Sequence, residues 1–422
     1  MLDMDFIRRN PEIVKDAIRN KHETADVDAL LKLDEQRRSL VFESEQLRGK
    51  RNDVSKSIAE MKKSGEDATD TIAEMRDIGA KIKEYEAGLG ELEPQINEIY
   101  VRIPNVPAED VPVGVDENDN EELRTWGERK TFDFKPKPHW DLARDLGIID
   151  FETATKLSGA GFALYVGVGA RLERALIAFM LDLHTTKHGY TEVSPPFIVN
   201  RASMFGTGQL PKLEDDMYRC DVDDLFLIPT AEVPVTNIHR DETLDADSLP
   251  IRYTAYTPCF RREAGSSGKD TRGLMRVHQF DKVEMVKFVR PETSWDELES
   301  LLADAEEVLQ LLGVEYRVLN LCTGDLSFSA AKCYDIEIWA PGIERWLEIS
   351  SCSNFTDFQA RRANIRFKEK GGKPQFVHTL NGSGVALARL VAVLLEMYQD
   401  QDGAVTIPEP LRAYMGGMER IG

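Results

Sequence analysis

Between Met75 and Ile103, nine apolar residues (Met75, Ile78, Ile82, Tyr85, Leu89, Leu92, Ile96, Ile99 and Ile103) follow one another at strictly alternating steps of three and four. That spacing lines one face of an α-helix with a coiled-coil seam. Upstream, Leu33, Leu40, Leu47, Val54 and Met61 recur every seven residues, with Ile58 on the same stripe. Only the polar, Gly-containing break Ser64-Gly65-Glu66-Asp67 separates the two runs. They must fold back on each other as an antiparallel hairpin over about residues 30–103, each helix about 50 Å long at ~1.5 Å per residue. Pro104 stops the second helix.

A hairpin of this kind could be a dimerisation rod or a spacer, and its charge decides the weighing. The whole chain has 53 Lys and Arg against 74 Asp and Glu, a net charge of −21, which argues against non-specific adhesion to nucleic acid or an anionic membrane. From Arg37 to Lys63 the balance reverses: Arg37, Arg38, Arg48, Lys50, Arg51, Lys56, Lys62 and Lys63 face only Glu43, Glu45, Asp53 and Glu60. A basic outer half on a projecting arm suits a phosphate backbone, with Arg48, Lys50, Arg51 and Lys56 as the candidate contacts. Such contacts position a nucleic acid without reading its bases.

Residues 104–122, PNVPAEDVPVGVDENDNEE, have no helical period and read as an extended connector between an N-terminal domain, 1–104, and a body, 105–422. The body alternates helical stretches (172–188, 295–312, 385–399) with β-rich runs (251–260, 276–289, 316–321, 334–339, 346–350). Several of these runs follow one another across short polar turns, which favours an antiparallel sheet and an α+β body. With 42% hydrophobic and 30% charged residues the chain supports a large core.

The N-terminus is charged from Asp3 and no run of 18 apolar residues occurs, so the expectation is a soluble, cytoplasmic protein without a membrane partner. Cys220, Cys259, Cys322, Cys333 and Cys352 form no C-x-x-C pair. They read as core thiols, and no structural zinc is expected. His184 and His188 stand at i, i+4, but H-T-T-K-H lacks the glutamate of a zinc helix.

The chemistry concentrates in two segments, 255–263 and 276–284, joined by the Gly-rich stretch AGSSGKDTRGLM. Period-two alternation puts Arg261 and Glu263 on one face of the first strand and Arg276, Phe280 and Glu284 on one face of the second. Arginine offers a planar fork for phosphate, the ring can stack on a base, and a carboxylate can hold an ammonium group or an amino edge. Ordinary cross-strand ion pairs on an exposed face are the plain alternative. G-S-S-G-K-D is not a phosphate loop of the Walker type, since Asp270 stands where Ser or Thr is needed. Near the C-terminus, Asn381-Gly-Ser-Gly-Val-Ala-Leu-Ala-Arg389 reads as a Gly-rich turn entering a helix, with Leu387 in place of the third glycine of a dinucleotide fingerprint. The glycines would let backbone approach a ligand while the helix brings Arg389 toward phosphate.

Taken together these residues resemble the class II aminoacyl-tRNA synthetases, and within them the bacterial type of seryl-tRNA synthetase, over essentially the whole chain. The resemblance rests on a long helix and proline-terminated strand at 172–195, the Phe260-Arg-Arg-Glu263 hairpin through Glu284, and the glycine-arginine segment from Gly382 to Arg389. Thr230-Ala-Glu232, Gly206-Thr-Gly-Gln-Leu-Pro211 and Arg272-Gly-Leu-Met-Arg-Val-His-Gln-Phe280 resemble signatures of the seryl branch. The fold it implies is an antiparallel sheet flanked by helices, carrying an N-terminal coiled-coil arm.

The implied activity is formation of seryl-adenylate from L-serine and ATP, then transfer to the 3′ end of tRNA(Ser), and also of tRNA(Sec), by a homodimer. By carry-over, Arg261 grips the α-phosphate, Glu263 meets the adenine amino edge, Phe280 stacks on adenine, and Arg276 and Arg389 hold the β and γ phosphates. Arg262, Val277, Ile349 and Ser350 complete the ATP segments, and Glu348 and Ser351 bind ATP and its Mg²⁺. Thr230, Ala231, Glu232, Glu284 and Ser383 enclose the serine. A rival reading, an arm-bearing coiled-coil binding protein whose body has lost catalysis, predicts broken motif arginines, whereas Arg261, Arg276 and Arg389 are present.

Overall fold

The computed structural model describes residues 1–264 and 272–422, so the glycine-rich stretch between the two catalytic segments lies largely outside the described residues. The chain divides into two compact units, residues 3–103 and residues 104–422 together with the first two.

In the smaller unit, α1 (Val27–Ser64) and α2 (Thr69–Tyr100) form the hairpin. Gly65 closes α1 in the left-handed conformation, φ 78°, which glycine adopts without strain. Val54, Ile58, Ala68, Ile78 and Ile82 are buried together, with Leu47 and Met61 packed against them. The seam is less uniform than its apolar spacing suggests, because Asp34 and Ser44 are buried in it as well. Asp34 is held by Arg37 at 2.9 Å and Arg38 at 3.1 Å, which compensates a carboxylate that burial alone would penalise. The seam also outruns its helix: α2 ends at Tyr100, ahead of Pro104, and a turn bond from Ile103 N–H to the Tyr100 carbonyl continues it.

The larger unit is built on an eight-stranded sheet. Its strands are β1 (Glu121–Trp126), β2 (Thr191–Glu192), β3 (Ile251–Phe260), β4 (Gln279–Val289), β5 (Tyr316–Asn320), β6 (Lys332–Ala340), β7 (Arg345–Asn354) and β8 (His378–Ala386), in the spatial order β1-β5-β6-β7-β8-β4-β3-β2. Every pairing is antiparallel except β2 on β3. The edge strand β1 takes Glu121 and Glu122 from the end of the expected connector. On one face lie α3 (Val168–Thr186), α4 (Ser294–Leu312) and α5 (Leu387–Tyr398), whose apolar residues share one core with the sheet. In α4, Leu298, Leu301, Leu302, Ala305, Val308, Leu309 and Leu312 repeat at helical spacing and are all buried. Each such leucine contributes about 1.5–3 kcal/mol by leaving water. No helix is long and apolar enough to cross a membrane among the described residues.

The strand that decides the architecture is β4. Val283, Met285 and Val289 join the helix-facing core, while Val286 and Phe288 on the opposite face join a second apolar cluster with Ala255, Ile365, Phe367 and Val377. Earlier on that second face come Phe280, Lys282 and Glu284. One face of one strand therefore passes from charged to apolar within a few residues, and the charged end floors a cleft.

The segment around Gly382 differs from the sequence expectation. It is strand β8 rather than a turn, and the missing side chains face the core rather than a ligand. A Cβ on Gly382 would come within 2.9 Å of Cys352 Sγ and 3.1 Å of Leu301, and one on Gly384 within 2.7 Å of His184 Nε2. The glycines let β8 approach α3 and α4 closely. Gly384→Ala should lower unfolding stability by about 1–3 kcal/mol, the usual cost of overpacking, in urea denaturation. An unchanged midpoint would show that the contact relaxes freely.

Candidate active site

The period-two expectation fails just beyond the β3–β4 ladder. β3 ends at Phe260, β4 starts at Gln279, and Glu263 turns to φ 53°, so Arg261, Glu263 and Arg276 lie outside the paired strands. They converge nevertheless. Arg276 Nη1 lies 2.5 Å from Glu263 Oε2, and the Arg261 guanidinium carbon sits 5.2 Å from the centre of the Phe280 ring. The return segment is anchored from beneath by His139, whose Nε2 accepts the Leu274 N–H at 3.0 Å. Its Nδ1 therefore carries the proton toward Glu396 Oε1, 2.8 Å away, and both side chains are fully buried.

Next to this hairpin lies a pocket of buried polar groups. Glu284 is 1% exposed, and its Oε2 accepts the Thr230 hydroxyl at 2.9 Å and also the Lys282 ammonium. Ser383 is its cross-strand neighbour on β8. Glu232 accepts from Gln359 Nε2 at 2.6 Å, and Gln359 in turn accepts from Thr379 at 2.7 Å. Burial, aided by the charge of Glu284, pushes the Glu232 carboxyl up to about 7.

Between β7 and β8 the hydrogen-bond ladder covers only residues 352–354 and 380–382. Side chains take over where it stops: Ser350 Oγ donates to the Ser383 carbonyl at 2.6 Å, and Arg389 Nη1 to the Glu348 carbonyl at 2.5 Å. The Glu348 carboxylate receives the Ser351 hydroxyl at 3.2 Å and lies 3.6 Å from Arg389. Partial desolvation of this half-exposed side chain would raise its pKa, but the charges of Arg389 and Arg261 prevail and hold it below the ordinary value. Beside it, Asp335 is pushed well up by burial and by Glu348. The whole is a cleft with arginines and an aromatic ring at one end and paired carboxylates at the other, suited to a nucleotide lying beside a small ammonium compound.

Comparison with known proteins agrees with this geometry. Residues 214–398 match the tRNA synthetase class II core domain (G, H, P, S and T), and residues 1–107 match the seryl-tRNA synthetase N-terminal domain. The chain is 57% identical to the serine–tRNA ligase of Pelotomaculum thermopropionicum, with both chains covered in full. The chain belongs to the seryl-tRNA synthetase family. As a member, it is a class II aminoacyl-tRNA synthetase. The serine–tRNA ligase of Thermoanaerobacter pseudethanolicus is 58% identical over 98% of each chain. Among solved structures, the seryl-tRNA synthetase of Pyrococcus horikoshii complexed with ATP superposes with a TM-score of 0.94 at 42% identity, covering 100% of this chain and 99% of that one. The cytoplasmic serine–tRNA ligase of Naegleria fowleri in complex with AMP gives 0.87 at 30% identity, covering 100% and 98%.

Within this seryl-tRNA synthetase cleft the expected residues divide by what their side chains can reach. Arg261 lies by Phe280, Arg276 pairs with Glu263, and Glu348 meets Ser351 and Arg389, while Thr230 and Ser383 adjoin Glu284, whose charge reaches Glu232. Val277, Ile349 and Ala231 are buried apolar residues, so only their backbone can meet a ligand. Arg262 is turned to the Asp215 carbonyl at 2.8 Å. On the arm, Arg48 pairs with Glu86 at 2.8 Å, Lys50 with Glu74 at 2.7 Å and Lys56 with Asp53 at 3.8 Å, while Arg51 is exposed. Four of the cysteines are buried and Cys220 is half-buried. His184 and His188 lie Nδ1 to Nδ1 at 2.9 Å, with His188 Nε2 on Glu307 at 3.0 Å. Sequence reasoning missed Lys282, Gln359 and the His139–Glu396 pair. Only Lys282 left a signal, since it falls on the same alternation as Phe280 and Glu284.

The raised Glu232 carboxyl has a consequence for stability. Its folded pKa of about 7 lies above the ordinary value of 4.5, so the folded state holds a proton that the unfolded state releases, and stability falls as pH rises through that window. Glu232→Gln keeps an oxygen for Gln359 and removes the titration. Relative to the unmodified protein, the variant should gain on the order of 3 kcal/mol in urea unfolding between about pH 4 and about pH 8. Parallel pH profiles would mean that Glu232 titrates normally.

Proposed function

We propose that this protein is a serine–tRNA ligase that joins L-serine to ATP in the cleft, releasing pyrophosphate, and passes the seryl group to the terminal adenosine of tRNA(Ser) and of tRNA(Sec). The observation that carries this reading is the convergence of Arg261, Glu263, Arg276 and Phe280 at the end of the strand that also carries the buried carboxylate of Glu284. Attack of the serine carboxylate on the α-phosphate needs little covalent help from the protein, because positioning and charge neutralisation supply most of the effect. Arg261, beside the adenine platform Phe280, holds the α-phosphate. Glu263 meets the adenine amino edge, Arg276 and Arg389 take the outer phosphates, and Arg262, Val277, Ile349 and Ser350 complete the ATP segments. Thr230, Ala231, Glu232, Glu284 and Ser383 surround the serine. A pocket whose buried polar atoms are satisfied by the substrate hydroxyl rejects alanine, which would leave them unpaired.

The oxygen donors of Glu348 and Ser351, with Glu348 held ionised by its arginines, suit Mg²⁺, a hard cation that fills its remaining positions from substrate phosphates and water. When bound it would neutralise charge on the phosphates. The N-terminal unit, 1–104, is the tRNA-binding domain and 105–422 the catalytic domain. The protein works in the cytoplasm as a homodimer through the segment 172–195. The ion pairs of Arg48, Lys50 and Lys56 do not oppose a role on tRNA. All three side chains are at least half exposed, and such pairs are worth only about 0–1 kcal/mol, which a phosphate can match.

Serine-dependent exchange of pyrophosphate into ATP tests the first step. Arg261→Ala should reduce it roughly 10²–10³-fold, the scale for one lost electrostatic stabiliser, and near-normal exchange in a folded variant would refute the assignment. The second step is tested by neutralising Arg51 and Lys56. Exchange should stay normal while tRNA binding weakens and its salt slope flattens by up to about 0.7–0.9 per contact. Unchanged tRNA affinity would return the arm to a purely structural role.

A further inference from the structure

Lys282 is assigned no part in the scheme above, yet it is buried against Glu284. It stands between Phe280 and Glu284 on the cleft face of β4, opposite Thr257 on β3 and Ala386 on β8. Its side chain is 7% exposed, so the ammonium is almost wholly out of water. A lysine in that position is tolerated only with a carboxylate beside it. The partner is Glu284 Oε2, the same oxygen that accepts the Thr230 hydroxyl at 2.9 Å. The other oxygen, Oε1, is buried and has no hydrogen-bond partner among the described residues. A buried carboxylate oxygen without a donor is costly in a finished core. Here both anchors converge on one oxygen, which fixes the plane of the carboxylate and leaves the other oxygen unpaired.

We propose that Lys282 is a positioning residue for the amino-acid substrate: with Thr230 it locks Oε2 of Glu284, so that Oε1 is presented as a ready acceptor for an N–H or O–H of the amino acid. The assignment rests on the ligase reading of the cleft. It also explains how two neighbouring carboxylates are accommodated, since the positive charge of Lys282 acts on Glu232 as well as on Glu284, alongside that of Arg261. Without the ammonium, Glu284 is free to rotate about its terminal bond and to repel Glu232. The loss then falls chiefly on the substrate that Oε1 receives; of the proposed nucleotide contacts, Arg261, Glu263, Arg276, Phe280, Ser351 and Arg389 keep their partners, and Glu348 loses only a minor share of the positive charge acting on it.

The test is pyrophosphate exchange measured against serine and ATP separately, in the full-length protein and in Lys282→Met, Lys282→Arg, Glu284→Gln and the double variant Lys282→Met/Glu284→Gln. Lys282→Met should raise the serine KM by about 10–100-fold, the scale of a hydrogen bond to a charged group, with the ATP KM within about twofold. Lys282→Arg should recover part of that loss. In the Glu284→Gln background, Lys282→Met should add little, because the residue acts through Glu284. An unchanged serine KM, a parallel rise in the ATP KM, or full additivity in the double variant would each overturn the assignment. If Lys282→Met does not fold, Lys282→Gln, which keeps the polar chain without its charge, carries the test, and a normal serine KM there overturns it. Exchange that is not serine-dependent in the unmodified protein would remove the ligase reading itself. Serine-dependent exchange with unaltered variants would remove only the role of Lys282.

Discussion

Charge buried on a sheet is the constraint that organises this molecule. A carboxylate or ammonium taken out of water must find a partner, or it neutralises or unfolds its surroundings. On the cleft face of β4 that requirement is met by Lys282 and Thr230 on Glu284, while Glu232 is held separately by Gln359, itself fixed by Thr379. At the other end of the cleft Arg389 and Arg261 keep Glu348 ionised. Glu284 Oε1 is left without a hydrogen-bond partner among the described residues, and it is this acceptor that the proposed role of Lys282 assigns to the amino acid.

The same rule governs the supports behind the cleft. His139 and Glu396 are both fully buried, and Glu396 also accepts the backbone N–H groups of His139 at 2.9 Å and Gly342 at 2.8 Å. This closed network fixes the imidazole and, through Leu274, the strand entry that carries Arg276. On the helix side Lys287 is 0% exposed and is held by Glu297 at 2.9 Å and Ser300 at 3.0 Å, tying β4 to α4. Arginines placed this way would need little reorganisation in the proposed phosphate-binding role, which is where electrostatic catalysis draws its effect.

Much of this was legible from the chain because it is local. A seam at steps of three and four can only be a long helix, and the short break at Gly65 can only be a reversal. The order of the β runs already indicated an antiparallel sheet. What failed were inferences that needed a partner distant in sequence. Alternation was extended past Phe260 to Arg261 and Glu263 although the ladder stops there, and the convergence with Arg276 is made by an ion pair instead. The Gly382 segment looked like a ligand-binding turn because Leu301, Cys352 and His184, which occupy the space a Cβ would take, lie far away in the chain. Asp34 and Ser44 in the arm seam were passed over for the same reason, since polar residues at buried positions leave no mark in an apolar pattern. Arg261, Glu263, Arg276, Phe280 and Glu284 were read from alternation and Arg389 from the glycine-rich segment, Thr230, Glu232, Glu348 and Ser351 came only with the family resemblance, and Lys282, on the alternation already in hand, was passed over.

A crystal structure of the protein with a non-hydrolysable seryl-adenylate analogue tests the central claim most directly. The account predicts the serine moiety donating to Glu284 Oε1 at about 3 Å, with Lys282 and Thr230 still on Oε2 and the adenine stacked on Phe280. It is contradicted if the analogue leaves Oε1 without a donor, or if Glu284 must release Lys282 before serine can enter.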